Sequence, residues 1–252
     1  MRFLTECPDR SRGELRFRLF GVNVRVNFWF WIAALFLSRA RDTGTLLIWV
    51  AVCFVSILIH DLGHVFAYWY YGVDAEVVLY GCGGLAIARR NVRGTVAQVV
   101  VSLAGPAAGF CVAALTLAAV WGTGGTVELH WRMFLPSFSA IPAMTDSAVA
   151  NPTAFYRTAV AINDLLFVNF FWGLINLLPV YPLDGGQAAR ALIETRLSLI
   201  LSAVVATAVA MLGFSAGSLY MALMFGLLAV SSVQALGIAR TRFAPEPYRS
   251  TR

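Results

Sequence analysis

Two histidines four residues apart, with an aspartate beside the first, stand inside an otherwise apolar stretch: His60, Asp61 and His64 in the run HDLGH. On an α-helix, residues i and i+4 share a face. This is also the spacing at which HExxH motifs place two imidazoles on one zinc ion. Titratable groups within a membrane-length apolar segment are costly, and by default they mark function with a partner nearby. A hydrogen-bonded histidine pair that packs helices together is the alternative. A second polar cluster bears on the choice. Asn176 to Gly186 reads NLLPVYPLDGG, where Pro179 and Pro182 stop helical hydrogen bonding and Gly185 and Gly186 free the backbone. Irregular backbone at membrane depth is tolerated where it is buried in protein or lines a cavity. A helix end followed by a turn accounts for the prolines and glycines, but not for the Asn and Asp that bracket them. With His60 and His64, Asp184 would complete a two-histidine, one-carboxylate set for one zinc ion, leaving the fourth position that catalytic zinc keeps open for water.

The elements that must position these groups are membrane helices. Of 252 residues, 59% are hydrophobic and 13% charged, with a mean hydropathy of +0.73. Soluble domains carry about 45–50% apolar and about 25% charged residues. The composition therefore excludes a soluble globular domain, a disordered chain, collagen and a soluble nucleic-acid-binding domain. A helix needs about 20 apolar residues to cross a hydrocarbon core. The first candidate is short, Val26 to Ser38 between two arginines, and is expected to recruit Phe20 to Val24 with Arg25 snorkelling. The second runs from about Leu46 to Tyr71 and carries the HDLGH motif. The third lies in the uncharged stretch Gly94–Val127 and the fourth at roughly Ala159–Leu178. No charge occurs from Leu197 to Ala239, and GFSAGS at Gly213–Ser218 supplies a turn that divides this stretch into two spans. The expected fold is an all-α polytopic membrane protein of six transmembrane helices, with a short β-hairpin or re-entrant element (Asp74–Arg90) between the second and third. One domain is expected over residues 1–252: a cytoplasmic N-terminal segment (1–19), a membrane core (20–239) and a cytoplasmic tail (240–252). Gly122–Thr158 is expected to be a long outer loop.

All 19 basic residues are arginine. With the N-terminus in the cytoplasm and the spans alternating, fifteen of them fall on cytoplasmic segments and four outside, as the bias of short cytoplasmic loops toward basic residues requires. Both termini are thus expected in the cytoplasm of a multi-pass cell-membrane protein. The net charge of +6 reports membrane orientation and not a nucleic-acid partner. No secretory signal peptide is expected, because the segment up to Arg18 is charge-rich and no small-residue cleavage site follows the first apolar stretch.

The sequence resembles the site-2 proteases, a family of intramembrane zinc metallopeptidases. FGVNVRVNFWFW (Phe20–Trp31) looks like the family's first-span entry, HDLGH stands where HExxH is expected, and GGLA (Gly83–Ala86) is similar to the glycine-bearing element after the second span. AGP (Ala104–Pro106) looks like the third-span motif. NLLPVYPLDGGQAARAL (Asn176–Leu192) is the most specific match, in its Asn-to-Asp spacing and its LDGG. The resemblance implies a six-helix core open to the cytoplasm, one Zn2+ held by His60, His64 and Asp184, and Asn176 holding the substrate or polarising its carbonyl. The implied substrate is a membrane protein cut in or near a transmembrane helix within the lipid bilayer. The family's general base is a glutamate, and Asp61 stands in its place, one methylene or roughly 1.5 Å shorter, where misplacement of about 1 Å can cost on the order of 10²-fold in rate. Gln187 and Asn27 are lesser departures.

Three functions follow from these residues. The first is proteolysis with Asp61 as base and Asn176 as oxyanion donor, slowed or re-tuned by the shorter acid. The second is a zinc-bearing scaffold or pseudoprotease that binds a helical partner without cutting it. The third is a metal transporter using His60, His64 and Asp184 in transit, which the scarcity of polar residues on the second and third spans disfavours. His130 belongs to the outer loop and is not expected to be a ligand, and Asp164 faces either the bundle interior or solvent. Cys7, Cys53, Cys82 and Cys111 are too scattered for a disulfide framework.

Overall fold

The computed structural model describes residues 13–38, 40–81, 83–132, 135–145 and 149–242. The expected N-terminal segment before residue 13, the tail after 242, Cys7, Cys82, Arg39 and Asp146 lie outside the described residues. The described residues divide into two compact units, one ending at Leu177 and one beginning at Leu178.

The first unit opens with strands β1 (Leu15–Leu19) and β2 (Val22–Val26), then a short helix α1 (Phe28–Phe36) and a long one, α2 (Thr43–Tyr70). Strands β3 (Ala75–Tyr80) and β4 (Gly83–Ala88) precede helix α3 (Thr95–Gly122). A second hairpin, β5 (Thr126–Arg132) and β6 (Leu135–Ile141), leads to helix α4 (Pro152–Asn176). The first four strands form one sheet in the order β1-β2-β3-β4, with β2 parallel to β3 and the other pairs antiparallel.

The expected first span takes a different form. Phe20 to Val24 do not join a helix: they supply a two-residue turn with positive φ at Phe20 and Gly21 and the start of β2. Positive φ at both turn residues is the hairpin geometry whose twist matches its strands. Val22, Val24 and Val26 alternate inward, and all are buried against Phe30 of α1, Leu58, Leu62 and Val65 of α2, and Val77 and Leu79 of β3. Period-two burial of β-branched residues defines a strand. What remains helical, the nine residues of α1, reaches only about 13.5 Å at 1.5 Å per residue. Arg25 does not snorkel. Its guanidinium grips both oxygens of the Glu14 carboxylate at 3.1 and 3.2 Å and reaches Glu76 at 3.5 Å, tying β1, β2 and β3 together.

Among the described residues, five helices are long and apolar enough to cross a membrane: α2, α3, α4 and, in the second unit, α6 (Thr195–Ser215) and α7, whose qualifying stretch is Leu219–Gly237. α7 itself runs Leu219–Arg242. The turn between α6 and α7 falls at Ala216–Ser218, where Gly217 takes φ +73°. The second unit also contains the short helix α5 (Asp184–Leu192). The long outer connection is not all loop, because the alternating run TVELHWR pairs with Leu135–Ile141. Asn163 of α4 clasps that hairpin by accepting from the Ala140 N–H at 2.9 Å and donating to its carbonyl at 2.7 Å.

α2 begins with a capping box. The Asp42 carboxylate accepts from the N–H groups of Gly44 and Thr45 at 2.8 and 3.1 Å and from the Thr45 hydroxyl at 2.9 Å. The hydrogen bonds from Thr45, backbone first, hold its carboxyl below the usual value, assisted by Arg157. A lowered folded-state pKa means that the cap stabilises fully above the ordinary carboxylate range and is lost as pH falls through the folded value. Asp42→Ala is therefore expected to lower the thermal midpoint by a few degrees at pH 7. The gap from wild type should shrink as pH drops below about 4, as scanning unfolding over a pH series will report.

Candidate metal and catalytic site

Four of the residues singled out in the sequence, His60, Asp61, His64 and Asn176, lie in the first unit, and Asp184 lies in the second. On α2, the face carrying Leu58, Leu62 and Val65 packs on the sheet. The histidines are turned away from that face toward α3, and Asp61 falls between the two directions.

α2 and α3 approach backbone to backbone. A Cβ on Gly63, inside HDLGH, would sit 2.6 Å from the Ala104 carbonyl oxygen and 2.9 Å from the Ala108 Cβ. The reverse contact comes from α3: a Cβ on Gly105, inside AGP, would collide with the His64 ring and lie 2.7 Å from the His60 Nε2. Close helix contact in lipid depends on such small residues, and at Gly105 the space released is filled by imidazole. Sequence reading placed both motifs but not this contact between them.

The two rings then adopt one chemical arrangement. His64 Nδ1 lies 2.7 Å from the Val101 carbonyl oxygen, an acceptor only, so the neutral ring donates from Nδ1 and leaves the Nε2 lone pair available. Nε2 of His64 and Nε2 of His60 are 3.2 Å apart, with the rings nearly perpendicular at 75°. Val101 and Gly105 share a face of α3 one turn apart, and Pro106 lies next to them. Its missing N–H leaves the helix ladder open at this level.

Below the histidines, α4 contains a π-helical turn, Phe167–Phe171. The extra residue aims the buried Asn169 carboxamide at Ser56, one turn before His60 on α2, with a hydrogen bond of 2.8 Å. Sequence pattern gives no sign of this link, since neither residue belongs to a motif. Asn176 ends α4 and is half-buried. His130 is in β5, where its Nε2 lies 3.3 Å from the exposed Glu128 carboxylate.

In the second unit the prolines and glycines have a clear local role. The chain from Leu178 to Leu183 is irregular, with a cis Tyr181–Pro182 peptide, and helix α5 starts at Asp184. Asp184, Gly185 and Gly186 are all buried. A Cβ on Gly186 would strike the Val180–Tyr181 peptide, with the Val180 oxygen at 2.6 Å, so the loop can fold back only over glycine. The Tyr181 N–H donates to the Ser202 hydroxyl on α6 at 2.7 Å, Ser202 meets Ser232 on α7 at 2.8 Å, and Ser232 donates to the Leu228 carbonyl at 2.9 Å. This strut holds the Asp184 loop, and nothing in the sequence marked these serines.

Two outcomes are expected. Gly105→Ala should weaken divalent-metal binding by at least the 10–100-fold typical of disturbed supporting contacts, measured by metal titration on folded protein. Ser202→Ala strands the buried Tyr181 N–H, at a cost of about 1–3 kcal/mol, visible as a lowered thermal midpoint.

Residues 48–220 match Peptidase family M50. A zinc metalloprotease of Methanocaldococcus jannaschii is 23% identical over 221 residues, which cover 86% of this chain and 55% of that protein. The chain thus spans about half the length of the curated relative it matches. The solved site-2 protease from Methanocaldococcus jannaschii shares the fold with a TM-score of 0.53 at 17% identity, over 95% of this chain and 100% of that one. Because the family match runs through α2, α3, α4 and the Asp184 helix and takes in well over half of the sequence, this chain belongs to peptidase family M50, the site-2 protease family of membrane zinc metalloproteases.

Proposed function

We propose that the chain is an intramembrane endopeptidase that hydrolyses peptide bonds in or near the transmembrane segments of membrane-protein substrates, the chemistry of regulated intramembrane proteolysis. The observation that carries this reading is the His60–His64 pair, with Nε2 atoms 3.2 Å apart. Two nitrogens bound tetrahedrally to one zinc at about 2.0–2.1 Å stand about 3.3 Å from each other. The donor set fits zinc in kind as well: two neutral imidazoles, one with its far nitrogen tied to a carbonyl, with Asp184 of the LDGG run as the carboxylate the sequence offers for a third ligand. Zinc, when bound, supplies the Lewis acidity that polarises the scissile carbonyl.

The chain's own groups carry the remaining steps. Asp61 accepts the proton of the attacking water and returns it to the departing amine. Asn176 donates from its carboxamide to the oxyanion that develops on the carbonyl. A substrate helix must unwind locally, since its peptide groups are already paired, and the open edge of β4 holds the unwound segment as an added strand. Both termini are placed in the cytoplasm, which requires residues 27–42, α1 included, to make the first crossing and puts fifteen of the 19 arginines on that side.

Asp61 in the glutamate position favours one second reading, a zinc-bearing scaffold that binds membrane helices without cutting them. Detergent-purified protein incubated with single-span test substrates separates the two. A protease yields product that a chelator abolishes. Asp184→Ala should lose at least about 10²-fold in rate together with bound zinc, whereas Asp61→Ala should lose product and keep its zinc. Asp61→Glu should speed a protease limited by reach and change nothing in a scaffold. Stoichiometric zinc in a wild type that cuts no substrate would overturn the protease reading.

A further inference from the structure

The β3–β4 hairpin does more than offer an edge, because it bears directly on Asp61. Gly84 is the second residue of β4, opposite Leu79. A Cβ built on Gly84 would fall inside the Asp61 carboxylate, 2.6 Å from its Cγ, and 2.9 Å from the Ile57 Cγ2 one turn earlier on α2. The buried carboxylate thus rests on bare main chain and fills the place where any other residue would carry its side chain. Gly84 has no positive φ, so the backbone there accepts any L-residue. Its lack of a side chain answers the carboxylate and not the turn.

The pairing of the hairpin places this contact at its exposed rim. The Arg89 N–H donates to the Asp74 carbonyl at 2.9 Å, which makes that opposed pair a hydrogen-bonded one. Antiparallel pairs alternate, and the register is unbroken from Ala75–Ala88 to Tyr80–Gly83. The peptide groups of Gly84 and Ala86 therefore point away from β3, toward the side where no described strand pairs with β4. One residue thereby touches Asp61 with its Cα face and turns its peptide toward the open edge.

We infer that Gly84 is a positioning residue that seats the Asp61 carboxylate, so that hairpin and acid form one sterically matched pair. The inference deepens the protease reading and rests on it. It accounts for a shorter acid working at this position, since the hairpin wall limits where the carboxylate can lie and removes its freedom to turn away.

The test is a two-by-two set on the full chain in detergent: wild type, Gly84→Ala, Asp61→Ala and the double variant, with Leu15→Ala, an exposed position on β1 at the opposite edge of the same sheet, as a control. Thermal unfolding is read first. Gly84→Ala should lower the midpoint by clearly more when Asp61 is present than when Asp61→Ala has vacated its share of the space, the Ile57 contact being common to both backgrounds. Zinc content should be equal in all five proteins. With a single-span substrate, Gly84→Ala should lower kcat by about 10²-fold, the scale for roughly 1 Å of misplacement, and leave KM unchanged, while Leu15→Ala should leave kcat intact. An equal thermal penalty in both backgrounds, or an unchanged kcat in Gly84→Ala, overturns the assignment while chelator-sensitive cleavage by wild type leaves the protease reading standing. A zinc-loaded wild type that cuts nothing removes the protease reading and takes this assignment with it.

Discussion

The site depends on how near two helix backbones can come inside a membrane. Lipid gives helices no hydrophobic reason to associate, so packing and buried hydrogen bonds must do it. Gly63 of α2 and Gly105 of α3 let the backbones close, each glycine leaning on the other helix. At Gly105 the vacant side-chain position is where two imidazoles converge. Had α3 carried an alanine there, helix contact could survive in some displaced form, but the rings could not share that space. The same closeness brings the Val101 carbonyl within 2.7 Å of His64 Nδ1, which decides the nitrogen left for a cation. Packing and coordination chemistry are consequences of one contact.

Around that contact, several polar groups at membrane depth are satisfied in pairs, as their burial demands. Asn169 meets Ser56 across a π-turn, and Trp49 donates its indole N–H to the Ala34 carbonyl at 2.9 Å. The sheet follows the same rule for charge: Arg25 is sheltered, and so is the Glu14 carboxylate that it binds at both oxygens. Replacing one member of such a pair leaves the other buried and uncompensated, which is why these links stiffen the frame that holds the histidines.

The long apolar runs were legible because hydropathy over about 20 residues is a local property: α2, α3, α4, α6 and α7 each overlap one of the charge-poor stretches, although Asp61 lies inside α2 and Arg157 and Asp164 inside α4. The break between α6 and α7 was marked by GFSAGS, whereas the helix that begins at Asp184 in LDGG was not expected. The same reasoning went astray at Phe20–Val24. A short apolar run before an apolar helix can be a strand or a helical turn. What makes it a strand is Val24 pairing with Val77 and Val26 with Leu79, partners more than fifty residues away. The β5–β6 hairpin lay unread in a stretch taken as loop, because it takes its anchorage from Asn163 on a later helix.

By itself the sequence determined the chemical inventory: two histidines on one helical face, an acid between them, an aspartate after a broken helix, and spans long enough for a bilayer. Each of these follows from spacing within a few residues, which the α-helix converts directly into shared faces and lengths. Only the tertiary structure decided that His64 turns Nε2 toward His60, that Gly105 yields its space to both rings, that Gly84 backs the Asp61 carboxylate, and that serines on α6 and α7 hold the Tyr181 loop. Those outcomes depend on distances between elements far apart in the chain, which come from packing the whole set of helices and strands and which no local pattern encodes.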